Sequence, residues 1–274
     1  MAAREVYPNA PLRLVTAEFR FPLSPRLAGS ELLVVLGDAL GARFPIIEPV
    51  GPQVSAGLRV SLGPQTVAAP TIGQAGFRLL TRDRMTAVTV APGRIAVETT
   101  AYEHWEDFRD SVVVETLRSI GDDLGAIAGL DRVGLRYINE VRVPGIGPDV
   151  AGWASYVAPE LVAVAHLAAG QGIRMLQLAL HVDQGEGAEL LMRAGMLEGH
   201  VVDDSGPLRL PTPPKPDHFF LIDIDSFWSR PASYDEWATT RALQIADQLH
   251  DPIDGLFERC IQEKLRDEVL RRQT

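Results

Sequence analysis

The sequence predicts an α+β protein built from an internally duplicated unit of strand, helix, antiparallel strands and long helix, with a further helix at the C-terminus. Two recurrences carry the prediction. Glu18-Phe19-Arg20-Phe21-Pro22 returns as Glu140-Val141-Arg142-Val143-Pro144, and Tyr102-Glu103-His104-Trp105 returns as Tyr234-Asp235-Glu236-Trp237. The third observation is order. The elements between the signatures read alike in both halves, and the offset grows from 122 positions (18 to 140) to 132 (105 to 237), a ten-residue insertion. The Pro/Gly-rich stretch 206–216 is the expected place for it, since loops tolerate added length.

The first unit opens with a strand from about Leu12 to Phe21, in which Val15, Ala17, Phe19 and Phe21 share one face while Thr16, Glu18 and Arg20 share the other. Ser30 is a capping residue for a helix over Glu31 to Leu40 that stops near Gly41. Strands are expected at Val54 to Leu62, Gly76 to Thr81, Met85 to Val90 and Arg94 to Thr99, the last two joined by a turn at Pro92-Gly93. Thr99 or Thr100 can cap the next helix. Its Trp105, Phe108, Val112, Leu117, Ile120 and Leu124 recur at helical spacing up to about Ala128.

The second unit starts at Arg132, with Val133, Leu135, Tyr137, Asn139, Val141 and Val143 on one strand face and Asn139 as its polar exception. A helix is expected from Val150 or Gly152 to Ala169, kinked or restarted near Pro159. Strands follow at Ile173 to Val182, Glu189 to Met196 and His218 to Phe227. Ser233 then caps a helix from Tyr234 to about His250. Asp251-Pro252 reads as the end of that helix and the start of another, carrying Ile253, Leu256, Phe257, Ile261, Leu265 and Val269 as an apolar stripe. The expected units are therefore 1–130, 131–250 and the amphipathic C-terminal helix 251–274.

Composition narrows the function classes. With 46% hydrophobic and 23% charged residues the chain reads as a soluble globular protein. The apolar run 157–169 is interrupted by Pro159, Glu160 and His166, short of the roughly 20 residues a bilayer span needs, so no membrane partner is expected. The opening residues lack the apolar stretch of a secretion signal, and the expected location is the cytoplasm. A net charge of -10 repels phosphate backbones and argues against nucleic acid. Cys260 is the single cysteine and reads as a buried, inert thiol on a helix face.

The segment Gly134-Leu135-Arg136-Tyr137-Ile138-Asn139, together with Glu18 to Phe21, Tyr102 to Trp105 and His250 to Phe257, resembles a sporadically distributed family of uncharacterised bacterial proteins of about this length. The similarity spans nearly the whole chain, and the Gly-Leu-Arg-Tyr-Ile-Asn strand is its most specific element. The resemblance implies a bacterial, soluble, single-chain protein and supplies no catalytic residues. By element order alone, the architecture is also analogous to duplicated TATA-box-binding-protein-like folds and to helix-grip folds.

No reaction is announced by the residues. The six histidines form no metal motif, and glycine-rich phosphate loops and a Gly-x-Ser-x-Gly elbow are lacking, so neither catalytic residues, metal nor cofactor are expected. Candidate binding residues are Glu18 with Arg20 and Glu140 with Arg142, each pair on the polar side of its strand, and Asp223 with Asp225, whose carboxylates share a strand face. Tyr137 and Asn139 complete the set. Trp105 and Trp237 are expected to anchor the helices to the sheet. The function these features suggest is a non-enzymatic module that uses a groove of the duplicated scaffold to bind a protein or peptide. The alternative is a small-molecule-binding protein or helix-grip-type enzyme in which Tyr137, Asn139, Glu140 and Asp223 converge in a pocket between sheet and long helix.

Overall fold

The structure, a computed structural model, describes residues 5–28, 30–51, 76–123, 125–168, 171–173, 175–202, 206–211, 217–229 and 235–272. Its centre is one antiparallel sheet of nine strands: β1 (Leu12–Arg20), β2 (Ile46–Val50), β3 (Gly76–Leu80), β4 (Thr86–Ala91), β5 (Arg94–Thr99), β7 (Arg132–Val141), β8 (Leu176–Gly185), β9 (Ala188–Gly199) and β10 (Asp217–Ser229). The spatial order is β2-β3-β4-β5-β1-β7-β10-β9-β8. The initial strands of the two halves, β1 and β7, lie side by side at the middle, Glu18 opposite Gly134 and Val15 opposite Tyr137. On its outer side each pairs with the last sheet strand of its own half, β5 for β1 and β10 for β7. A separate two-stranded sheet joins β6 (Gly129–Leu130) to β11 (Asp235–Glu236).

Alternation along the strands makes one sheet face apolar, and helices cover it. Val15, Ala17 and Phe19 of β1, Val133, Leu135 and Tyr137 of β7, and Phe220, Ile222 and Ile224 of β10 form a single buried cluster with residues of the two long helices. The first long helix runs over 105–123 as α-helix interrupted by two wider π turns. The second, Thr239–Cys260, packs over β7 and β10 and buries Ala242, Ile245, Leu249 and Ile253. No helix among the described residues is long and apolar enough to cross a membrane.

Several elements depart from the sequence expectation. The helix expected from Val150 to Ala169 is one α-helical turn, Val150–Trp153, followed by 3-10 turns at Pro159–Leu161 and Ala163–Ala168. Backbone pairing with the C-terminal segment replaces it: Ala158 N donates to the Cys260 carbonyl and Gln262 N to the Tyr156 carbonyl, both at 2.8 Å. The expected boundary at Asp251-Pro252 is also absent. Pro252 lies inside Thr239–Cys260, and the expected unit boundary at 250/251 falls within a helix. Buried Leu249 and Ile253 pin the turns on either side, and their burial outweighs the roughly 3 kcal/mol an interior proline costs. The break falls later, where Ile261 pairs with Val157, before Glu263–Leu265 and Arg266–Leu270 resume the helix.

Thr99 and Thr100 do not cap the first long helix. Thr99 shares a hydroxyl hydrogen bond of 3.0 Å with Thr86, Thr100 donates to the Met85 carbonyl, and the helix begins at Trp105 after an exposed His104 that offers no side-chain cap. Edge strand β2 escapes the sequence pattern because Pro49 interrupts it, a residue tolerated only where one side of the ladder is free. The strand expected at Val54 to Leu62 and the Ser233 cap lie outside the described residues.

Candidate functional site: the charged face of the sheet

The second sheet face carries the charges. Adjacent strands line up Glu98, Thr16, Arg136 and Asp225 in one row, and Ala96, Glu18, Gly134 and Phe227 in the next. Arg94, Arg20 and Arg132 form the row beyond. In a low-dielectric setting such charges call for partners, and Asp223 and Glu18 have them. Asp223, with no solvent exposure, accepts from Arg136 Nε and Nη2 at 2.7 Å each, and from Arg193 Nη1 at 3.3 Å. Glu18 is paired with Arg20 at 2.8 Å, Arg94 at 3.0 Å and Arg132 at 3.0 Å.

Arg132 explains the glycine of the Gly-Leu-Arg-Tyr-Ile-Asn strand. Its guanidinium folds back over Gly134, where a Cβ would lie 2.7 Å from Nη1, and rests 4.5 Å from the Phe227 ring centroid. The absent side chain leaves the slot between Glu18 and Phe227 for it. Burial pushes the Glu18 carboxyl up, but Arg94, Arg20 and Arg132 together outweigh burial and hold it below the usual carboxylate range. Asp225 goes the other way. Burial, with Asp223 and Glu18 nearby, raises it despite Arg132 and Arg136. Glu98 is raised by burial that Arg94 and Arg78 only partly offset, and it accepts no hydrogen bond among the described residues.

Glu140 and Arg142 repeat the geometry of Glu18 and Arg20 at the opposite end of this face. In both, the Arg Nε reaches the carboxylate two residues earlier, at 2.6 Å for Arg142 and 2.8 Å for Arg20. The surroundings differ. Glu140 accepts from Val201 N at 3.0 Å, and Arg142 donates to the carbonyls of Gly199 and Asp217 while its guanidinium lies 5.1 Å from the Phe219 ring centroid. Val201 packs against Ile138, Phe219 and Leu221 beside this pair, and further along the same face Leu208 packs against Leu80 and Ala87. Glu140 is 0% exposed and Arg142 18%, whereas the Arg20 side chain is 50% exposed and bonds only Glu18 among the described residues.

Tyr137 and Asn139 do not join this site. They lie on the opposite, helix-covered face, so the pocket in which they converge with Glu140 and Asp223 is not formed. A one-residue step along a strand reverses the side, which separates Asn139 from Glu140. Asn139 Nδ2 donates to the Ile222 carbonyl at 3.1 Å, and the Tyr137 and Tyr102 hydroxyls meet at 3.0 Å. Beside them His250 stacks on Trp105 with centroids 5.1 Å apart.

The two tryptophans tie helix to helix rather than helix to sheet alone. Trp105 Nε1 on the first long helix donates to Asp247 on the second at 2.8 Å, and Trp237, just before the second, donates to Asp122 on the first at 3.1 Å.

Sequence reasoning placed Glu18, Arg20, Glu140, Arg142, Asp223 and Asp225 on strands whose polar sides turn out to be one face. It missed Arg94, Arg132, Arg136, Arg193, Glu98 and Phe227 as members. The signal for Arg132 and Arg136 was available, because they share the strand parity of Glu140 and Arg142. Among the described residues no group of three or more His, Cys, Asp or Glu side chains is placed to hold a metal ion. Chemically, the face offers guanidinium donors and matched carboxylates held on rigid strands, suited to recognising polar main-chain or charged groups. No protein-family model matches the chain, and no curated protein shows significant sequence similarity to it.

Proposed function

We propose that the protein is a non-enzymatic interaction module in which the end of the charged sheet face around Glu18 and the half-exposed Arg20 receives an extended segment of a protein or peptide partner. The observation that carries this reading is the twin pair: Glu140 and Arg142, in the same geometry, are engaged by main-chain N–H and C=O groups of this chain's own segment. Among the described residues the Arg20 terminal nitrogens have no acceptor, so they can take the same kind of group, and Arg94 and Phe227 extend the surface beside it.

Internal duplication belongs to the same proposal. The strand order supports it, since β5, β4 and β3 lie outward of β1 as β10, β9 and β8 lie outward of β7, analogous to a TATA-box-binding-protein-like scaffold; under that matching the two Glu-x-Arg pairs are equivalent positions. A bacterial source rests on the family resemblance.

The test is native mass spectrometry of wild type and Arg20→Ala purified from the source organism. A co-purifying chain held by wild type and lost from Arg20→Ala supports the reading. A partner held equally by both overturns it.

A second reading, small-molecule binding, is favoured by one feature. A cleft of about 490 Å³ opens between the β8–β9 hairpin and the second long helix, lined by Gln184, Glu186, Trp228, Arg241 and Gln248. A small-mass adduct lost from Trp228→Ala would select this reading instead.

A further inference from the structure

Among the described residues the sheet ends at β8, and no strand lies on its outer side. From Ala179 to Gly185 every residue is exposed, with Leu180 44% and Val182 38% exposed. Natural edge strands are blunted by lysine, proline, bulges or shortness. Within its 10 residues β8 has no Lys, Arg or Pro, and its only register shift lies at the hairpin end, between Asp183 and Gly185. The other edge, β2, has 5 residues and carries Pro49. The second long helix covers β7 and β10, so the apolar row of β8 extends the core face beyond the helix that shields it.

We infer that β8 pairs antiparallel with β8 of a second copy of this chain, with a two-fold axis at Leu180. Directly opposed residues in an antiparallel ladder lie on the same face, so β8 can match itself only if its pattern reads alike in both directions. It does so about Leu180. Leu178 then faces Val182 of the other copy and Leu180 faces its equivalent, a central run of apolar pairs flanked by Leu176 opposite Gln184. On the other face Ala179 meets His181, and Gln177 meets Asp183. An axis at His181 opposes two imidazoles and sets Leu178 against Gln184, whereas an axis at Ala179 keeps Leu176 opposite Val182 and Leu178 opposite Leu180 but sets the Asp183 carboxylate against the apolar Met175, so the pairing of Asp183 with the Gln177 amide is what selects Leu180.

Charge selects the same strand. Two chains of net charge -10 repel each other, so a self-association surface has to be locally neutral. Apart from His181, paired with Glu189 at 2.6 Å, β8 has one ionisable side chain, Asp183, which this register places opposite a neutral amide.

Sedimentation and cysteine crosslinking test the pairing together. Wild type is expected to sediment as a dimer at about 100 µM, and Leu180→Lys, which opposes two ammonium groups on the axis, to raise the dimer dissociation constant roughly tenfold or more with an unchanged circular dichroism spectrum. Leu180→Cys should form a disulfide-linked dimer on oxidation, because opposed Cβ atoms lie about 4.5–5.5 Å apart. Val182→Cys should not, since the two copies of position 182 are four residues apart along the ladder, about 13 Å. Native Cys260 is buried, and burial pushes its thiol up to about 11, so it does not compete. A monomer at every concentration overturns the pairing, as does a dimer indifferent to Leu180→Lys. Preferential crosslinking through Val182→Cys overturns the register.

Discussion

Asp223 and Arg136 form a two-pronged ion pair across β10 and β7, with both N–O distances at 2.7 Å and the carboxylate wholly shielded from solvent. A buried pair of this kind contributes little against an apolar substitute but is costly to break, since the surviving charge stays buried. Asp223→Ala should therefore lower unfolding stability by about 3 kcal/mol or more. Asp223→Asn, which keeps an acceptor oxygen, should lose less. Urea denaturation of the two variants gives the comparison, and equal losses would sink this account of the pair.

The two Glu-x-Arg pairs should respond unequally. Arg142→Ala strands the buried Glu140 carboxylate and releases the Gly199 and Asp217 carbonyls, so a loss of about 3 kcal/mol is expected. Arg20 is half exposed, and Arg20→Ala should stay within about 0.5 kcal/mol of wild type. Thermal melts of both proteins decide whether only one pair is a structural tie.

Glu18 and Glu98 should give pH dependences of opposite sign. The folded-state value of Glu18 is lowered, so its contribution is present above the unfolded carboxylate value and is lost as pH falls through the folded one. The folded-state value of Glu98 is raised. The folded protein then binds the proton more tightly, and stability declines as pH rises from the unfolded value through the folded one. Glu98→Gln should stabilise at neutral pH, with the gain shrinking on acidification, whereas Glu18→Gln should destabilise at neutral pH and converge on wild type in acid. Melting temperatures recorded from pH 3 to pH 8 would show the crossing trends, about one pKa unit per 1.4 kcal/mol.

Gly121→Ala should destabilise although alanine is the better helix former by about 1 kcal/mol. A Cβ at this position would lie 2.3 Å from Trp237 Nε1, so the indole must leave the helix surface and with it the Asp122 carboxylate. A net loss of about 1–3 kcal/mol is expected, with a shift in tryptophan emission. A more stable variant with unaltered emission would contradict the contact.

Much of the sheet was legible because alternation is a local signal. The faces of β1 and β7 were readable from Val15, Ala17 and Phe19 against Thr16 and Glu18, and from Leu135 against Arg136, and the polar side carried six of the eight candidate residues to one surface. Tyr137 and Asn139 were grouped with the wrong neighbours because convergence on a pocket was inferred from nearness in sequence. Strand parity had already put them on the other side. Pro252 misled in the same manner. It is a boundary in a free chain and a tolerated interior residue when Leu249 and Ile253 are held in a core.

By itself the sequence determined the α+β class, the strand faces and the positions of the charged pairs, since these follow from side-chain period and turn chemistry within a few residues. The tertiary structure alone decided that β1 and β7 are neighbours, that Arg132 fits over Gly134, that Glu140 is buried while Arg20 is half exposed, and that β8 is an edge among the described residues. Each of these depends on contacts between segments far apart in the chain, where the free energy of packing chooses among arrangements that local propensity leaves equivalent.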